Sequence, residues 1–392
     1  MSIYLDHAAT SPVRAEVIEA MLPYLTVDWG NPSSPYAAGR RARHALDEAR
    51  ERVAIALGAR PKEIVFTSGG TEALNLAIKG AAWAGKAHGN RIVIGAVEHH
   101  AVTEPAAYLE RFGFEVATVA VDRYGRVDPD AVEAAMSEHT ILVSIMLANN
   151  EMGTIEPVAE IARRAHARRG CLVLCDAVQG AAWLDIDVDE LGVDMLTIGA
   201  HKFEGPKGVG ALFLRSGTHI LAQQHGGSQE RYRRAGTENV AGIVAMATAL
   251  DLSVRERPDT RAHVLRHRQR LSDGLLPLDG VELTGHPTDR LPNSLSILAR
   301  GTDGSAVVTA LDLAGIAVSV GSACTTGSDE VSHVLSAMGY PDDEARGALR
   351  LTVGRTTTDD DIDEALAVIP STIQAVREGA RAMAGELEVA AG

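Results

Sequence analysis

Short, continuous apolar runs recur along the first half of the chain, each followed by a stretch with helical spacing. EIVFT precedes a helix expected over 71–84, RIVIGAV one over 101–112, and ILVSIML one over 156–169. CLVLCDA comes next, then residues 193–214, VDMLTIGAHKFEGPKGVGALFL. Strands that are apolar on both faces and separated by helices predict a mostly parallel sheet covered on both sides, an α/β fold. Ahead of them, residues 1–14 read as an extended arm and 22–39 as a loop broken by Pro23, Pro32 and Pro35. Residues 40–57 read as a helix with Ala45, Ala49, Val53 and Leu57 on one face.

The pattern changes in the second half. Residues 240–252 form a small-residue helix and 253–272 an arginine-rich connecting helix; a smaller α+β unit follows. Its expected elements are VELTG, NSLSILA, a helix over 304–314, IAVSVG, ALRLTVG and a closing helix. The expected division is therefore an arm (1–14), a large domain (15–255) and a small C-terminal domain (256–392).

Composition narrows the function classes. With 392 residues the chain is long enough for two domains, and 46% hydrophobic content suits a packed core. A formal net charge of −15 argues against stable nucleic-acid binding. No apolar run reaches membrane-spanning length, and the first residues lack a basic-then-apolar signal pattern. Three cysteines make no disulfide framework, so a reducing cytoplasm is the expected location.

Ligands of open parallel sheets bind at the carboxyl ends of the strands. After EIVFT, Ser68-Gly69-Gly70-Thr71-Glu72 opens a helix whose free N–H groups suit a phosphate. The stretch is neither a Walker loop nor a dinucleotide fingerprint. After RIVIGAV come Glu98, His99 and His100; an imidazole there can cover a planar cofactor or move a proton. No accompanying carboxylate or cysteine spacing makes this a metal site. Asn149, Asn150 and Glu151 follow ILVSIML, with amides able to bond a phenolic oxygen or a carboxylate. Asp176 ends a buried strand, with Gln179 three residues on, and a buried carboxylate needs a cation or a proton donor. Lys202 stands at the mouth of an apolar strand among small residues, where a partly desolvated amine suits Schiff-base chemistry. Each signal alone fits an ordinary turn, a surface histidine pair, a structural ion pair or a solvated lysine. Lys202, Asp176, His99 and the Gly70-Thr71 cradle together are the inventory of a pyridoxal 5'-phosphate site.

The cysteines divide by setting. Cys171 and Cys175 lie four apart in one strand and read as core thiols. Cys324 sits in Gly321-Ser322-Ala323-Cys324-Thr325-Thr326-Gly327, where little surrounds the sulfur, and is a candidate nucleophile. Arg350, in ALRLTVG, offers a bidentate fork for a substrate carboxylate.

These motifs resemble the NifS/IscS-type cysteine desulfurases, in the class V branch of fold-type I pyridoxal phosphate enzymes. The resemblance runs in order through YLDHAAT, GNPSS, FTSGGTE, EHHAV, NNEMGT, DAVQ, AHK, HGG, GTENV, GSACT, SHVL and LRLTVGR. It implies a large cofactor-binding domain with a mostly parallel seven-stranded sheet, a smaller α+β domain, and a homodimer with each active site at the subunit boundary. It further implies Lys202 as the Schiff-base lysine, His99 stacked on the cofactor, Asp176 on the pyridine nitrogen and Gln179 on the phenolic oxygen. Gly70, Thr71, His201 and the second subunit's own copy of Thr237 would hold the phosphate. Asn149 and Arg350 would bind the substrate carboxylate, and Cys324 would take the sulfur of L-cysteine as a persulfide, leaving L-alanine. No resident metal is implied, although Cys324 is also a candidate transient iron–sulfur ligand. The sulfur would pass to an acceptor protein in iron–sulfur cluster assembly or in tRNA or cofactor thiolation.

The chain departs from the pattern at four places. Gly199 stands where many relatives have serine, Tyr36 where histidine is usual, Glu204 where a neutral residue is common, and Ala235 where serine is. The rival readings are a selenocysteine or cysteine-sulfoxide lyase on the same fold, an aminotransferase, and a catalytically silent sulfur-assembly subunit.

Overall fold

The structure is a computed structural model that describes residues 3–321 and 331–391, with side chains described through residue 382. Its twelve strands are β1 (Ile3–Tyr4), β2 (Ile64–Thr67), β3 (Arg91–Gly95), β4 (Glu115–Val119), β5 (Thr140–Ser144), β6 (Leu172–Asp176), β7 (Met195–Gly199), β8 (Gly210–Leu214), β9 (Val281–Leu283), β10 (Ser294–Ala299), β11 (Ile316–Ala317) and β12 (Ala348–Thr352).

Seven of them form the central sheet, in the order β2-β8-β7-β6-β5-β3-β4. Only β8 runs against its neighbours, so the mostly parallel seven-stranded sheet is as expected. The pleat sends alternate residues to two different cores. Phe66, Val143, Val173, Cys175, Leu196 and Phe213 enter one cluster. Val65, Ile92, Leu142, Leu174, Met195 and Leu212 enter the other. That two-sided burial is why these strands read as unbroken apolar runs. Helices Gly70–Gly85 and His100–Glu110 cover the second face, while Ala37–Ala56 and Val240–Leu275 cover the first. Truncating a fully buried leucine such as Leu174 here would cost about 2–5 kcal/mol.

The smaller unit is an antiparallel sheet ordered β12-β10-β9. The N-terminal arm joins both parts of the chain. β1 pairs with β11, Asp6 bridges to Thr352, and Ser11 N–H donates to the His201 carbonyl at 2.9 Å. The arm therefore runs from the small sheet to the turn that carries Lys202.

Three features differ from the sequence expectation. Ala15–Thr26 is helical despite Pro23, and only Val17 of it is fully buried, so little apolar period marks it. The edge strand β4 buries only Val119, which hides it from a reading based on continuous apolar runs. Residues 240–275 form one helix across Pro258, where two were expected; position 255, the expected domain limit, lies inside it.

Candidate active site

A cavity of about 420 Å³ opens where the carboxyl ends of β2, β3, β5, β6 and β7 meet the arm and β12. At one end lie Gly70, Thr71, Asp176, Gln179, His201 and Lys202; at the other lie His100, Asn150, Glu151, Gly321, His333 and Arg350.

Lys202 closes the short turn Ala200–Lys202 directly after β7. Its Nζ donates to the Ala9 carbonyl at 3.0 Å and to the Ala8 carbonyl. The arm thus holds the amine at the cavity wall, and Gln179 Nε2 donates to the same Ala8 carbonyl at 3.0 Å.

Asp176 is the last residue of β6 and is 7% exposed. Its Oδ1 accepts from Val178 N–H at 2.9 Å and from the Thr197 hydroxyl at 3.4 Å. Burial pushes this carboxyl up, against the pull of the Val178 N–H and Lys202. A cation placed in the cavity would relieve that burial penalty.

His99 caps helix His100–Glu110, its Nδ1 accepting from Ala101 N–H at 3.0 Å. With Nδ1 an acceptor, the neutral ring carries its proton on Nε2. Burial, helped by Lys202 and the two neighbouring imidazoles, lowers its pKa to about 4, so it is uncharged at neutral pH. His201 is lowered to about 4 by burial and by Lys202 and Lys207, and its Nδ1 lies 3.3 Å from the Thr10 hydroxyl.

The helix Gly70–Gly85 begins at the cavity, so the N–H groups of its first turn face it without intrahelical partners. An open space of about 440 Å³ continues outward past Ser68, Gly69, Thr71, His201 and Lys207. Thr237 does not line the main cavity of its own chain; it is exposed beside Arg234 and Ser68.

Arg350, at the centre of β12, is 2% exposed. Its Nη2 pairs with Asp6 Oδ1 at 2.7 Å, and Nη1 donates to the Asn150 and Gly321 carbonyls at 2.8 and 3.2 Å. Its Nε is buried without a hydrogen-bond partner among the described residues. Arg350 lines the cavity, so its positive guanidinium would favour a carboxylate bound there.

Asn149 departs from its expected place on the cavity wall. Its Oδ1 accepts from the N–H groups of Glu151 and Met152 at 2.8 and 2.9 Å, and its Nδ2 donates to the Val97 carbonyl at 3.0 Å. The side chain is spent on the turn and does not line the cavity; its neighbour Asn150 does. Asn150, His100, Glu151 and His333 also line the cavity, although the site assignment carried from the resemblance named only their neighbours Asn149 and His99. The first three stand in the strand-end tripeptides already singled out, and His333 in SHVL. Cys324 lies outside the described residues. Cys171 and Cys175 are buried, and burial pushes the Cys171 thiol up to about 12, as suits core thiols. Among the described residues no cluster is suited to a metal ion.

Two departures from the family pattern acquire a setting. A Cβ on Gly199 would lie 3.6 Å from Gly70 N, ordinary contact, so the position has room for a side chain. Glu204 adopts φ +62° and pairs with Arg355 at 2.9 Å and with Arg14 at 3.7 Å. Its own N–H donates to Ser11 Oγ at 2.7 Å. It clamps the arm beside Lys202.

Residues 3–365 match the aminotransferase class-V family. The chain is 47% identical over 376 residues to a cysteine desulfurase IscS of Methanosarcina thermophila, covering 96% of this chain and 93% of the relative. It is 48% identical over 383 residues to a cysteine desulfurase IscS of Dictyoglomus turgidum, covering 96% and 95%. Among solved structures, a NifS-like protein superimposes with a TM-score of 0.90 at 37% identity, covering 95% of this chain and all of the other.

Proposed function

This chain belongs to the class-V aminotransferase family and is a cysteine desulfurase, and from that premise we propose how its residues divide the work. The observation that carries the proposal is one cavity holding Lys202, Asp176, His99, the Gly70-Thr71 helix start and Arg350.

The residues present fit pyridoxal 5'-phosphate, because the buried Asp176 carboxyl calls for a cationic partner and the helix start for an anionic one. The chemistry supplied by that cofactor when bound is an aldehyde for amine exchange and a sink for the electrons of the substrate's α-carbon. Asp176 would keep a proton on the pyridine nitrogen, Gln179 would hold the phenolic oxygen, and His99 would cover the ring and exclude water. Gly70, Thr71 and His201 would hold the phosphate.

L-Cysteine would bind by its carboxylate to Arg350. The amide that assists passes, in our reading, from Asn149 to Asn150, since the polar atoms of Asn149 are engaged in the turn. Nζ of Lys202 takes the α-proton. Cys324, as thiolate, takes the sulfur, leaving a persulfide and L-alanine, and the persulfide serves an acceptor protein in iron–sulfur assembly or thiolation. Cys324 as a transient cluster ligand stays within this proposal.

We place the enzyme in the cytoplasm as a homodimer. No helix among the described residues is long and apolar enough to cross a membrane. Ile18, Leu22, Leu25 and Trp29, on and just past the first helix, are exposed, Trp29 to 73%, an apolar patch that a second copy would cover. The phosphate end opens outward, where the second subunit's own copy of Thr237 would close it.

The test is covalent. Borohydride reduction after adding pyridoxal 5'-phosphate should fix the cofactor's mass on the peptide containing Lys202, and K202A should take up none. Labelling of a different lysine would overturn the assignment.

A further inference from the structure

Glu204, two residues past Lys202, sits at φ +62°, in the left-handed region that favours glycine. A long acidic side chain stands there nevertheless, and both its backbone and its carboxylate bond the segments that meet at the cavity. Its N–H donates to Ser11 Oγ at 2.7 Å, and its carbonyl accepts from Arg14 N–H at 3.2 Å. The carboxylate oxygens lie 2.9 and 3.2 Å from Arg355 Nε, and one is 3.7 Å from Arg14 Nη1. Arg355 belongs to the small unit, three residues past the end of β12.

On the other side of Lys202, the His201 carbonyl accepts from Ser11 N–H at 2.9 Å and from the Ser11 hydroxyl at 2.8 Å. Arm residues 11–14 are thus fastened both before and after the lysine. The carbonyls that receive the Lys202 amine, those of Ala8 and Ala9, stand just upstream in the same arm. The small unit presses on that arm as well, since a Cβ on Gly354 would lie only 2.2 Å from the His7 ring.

The junction is charged and closely packed. Arg14 is 6% exposed and also pairs with Glu256 at 2.9 Å, so two guanidinium groups face two carboxylates. A chamber of about 30 Å³ lies among Arg14, Glu204, Glu256 and Arg355, and Lys202 lines both this chamber and the main cavity. Removing the charge of Glu204 would leave the two cations to Glu256 alone, and a half-buried cation without its partner pushes its segment outward.

We propose that Glu204 is a positioning residue for the Lys202 amine: by clamping the arm to the lysine turn and to Arg355, it fixes the two carbonyls that hold Nζ. This rests on the assignment of Lys202 as the reacting amine made above. The left-handed backbone is what aims the carboxylate at Arg355 while the N–H and carbonyl stay on the arm. Proton transfer is sensitive to displacements of about 1 Å, so a slack arm slows the steps that use Nζ. Arg350 keeps its own tie to Asp6 at 2.7 Å, so the grip on the substrate carboxylate should survive the loss of Glu204.

The test uses E204Q and E204G in the cofactor-loaded protein. Both should lower kcat for alanine formation about tenfold or more, with KM for L-cysteine within about threefold. Exchange of the α-proton of L-alanine with D₂O should slow by a similar factor. Added pyridoxal 5'-phosphate should also bond to Lys202 about tenfold more slowly in the cofactor-free variants, followed by absorbance. E204G removes the side chain from a glycine-favouring conformation, so its urea midpoint should be no lower than that of E204Q although it is as slow. R355Q should reproduce the loss, and E204Q/R355Q should be within about twofold of the slower single variant. Parent values of kcat, exchange and cofactor bonding in variants that have merely lost stability would overturn the proposal. So would a raised KM at parent kcat, or losses that multiply in the double variant. Cofactor trapped by borohydride on a lysine other than Lys202 in the parent would instead sink the reading on which this one rests.

Discussion

Arg350 Nη2 and Asp6 Oδ1 stand 2.7 Å apart, joining the centre of a small-unit strand to the N-terminal arm. The same arm, two residues on, accepts the Lys202 amine at the Ala8 carbonyl. The Arg350 guanidinium and the Lys202 amine are therefore both positioned by one short extended segment. The pairing also fixes the plane of the guanidinium, and Arg350 lines the cavity.

R350K keeps a positive charge but removes the fork and the Nε donor. KM for L-cysteine should rise about 10- to 100-fold with a smaller change in kcat, which steady-state kinetics would measure. An unchanged KM would show that the carboxylate binds elsewhere.

Gly199 offers a gain. Its backbone is extended, φ −131° and ψ 123°, and a Cβ there meets nothing closer than 3.6 Å. G199S should fold normally and add a hydroxyl beside Gly70 N, tightening cofactor binding by about tenfold, the worth of one hydrogen bond to a charged group. An absorbance titration of cofactor-free protein checks this, and weaker binding in G199S would contradict the cradle.

Acid sensitivity should be traceable to buried imidazoles. His7 is 6% exposed, and burial lowers its pKa to about 4. Unfolding lets it return toward its ordinary value, so the unfolded chain binds more protons between about pH 6.5 and 4. The stability that His7 contributes is complete above that window and is lost as pH falls through it. H7F, which keeps a ring against Tyr4, should lessen the pH slope of unfolding free energy there by up to about 1.4 kcal/mol per pH unit. Urea titrations at several pH values would show it; an unchanged slope would mean that His7 is protonated in the native state.

Much of this was legible in the chain because two-sided burial leaves a strong mark. Strands such as β6 and β7 carry apolar residues on both faces, and the groups at their ends, Asp176 and Lys202, stand out by contrast. Less was legible where burial is one-sided or absent. β4 and the helix Ala15–Thr26 present mostly exposed or half-buried residues, and Pro23 argued for a loop where one helical hydrogen bond was simply forgone. Asn149 and Asn150 are equivalent in sequence; only the turn's hydrogen bonds show that one is structural and the other faces the cavity. His333 was hidden for another reason, since its partner His100 comes from a distant element and the pair exists only after folding.

The most direct test of the desulfurase account is a paired assay of the cofactor-loaded protein with L-cysteine and a thiol reductant, measuring sulfide and alanine together. Equal yields of the two in the parent, both lost in C324A while the bound cofactor's absorbance stays, is the result expected. Alanine or pyruvate still forming at the parent rate in C324A would contradict sulfur transfer through that thiol and point to a lyase.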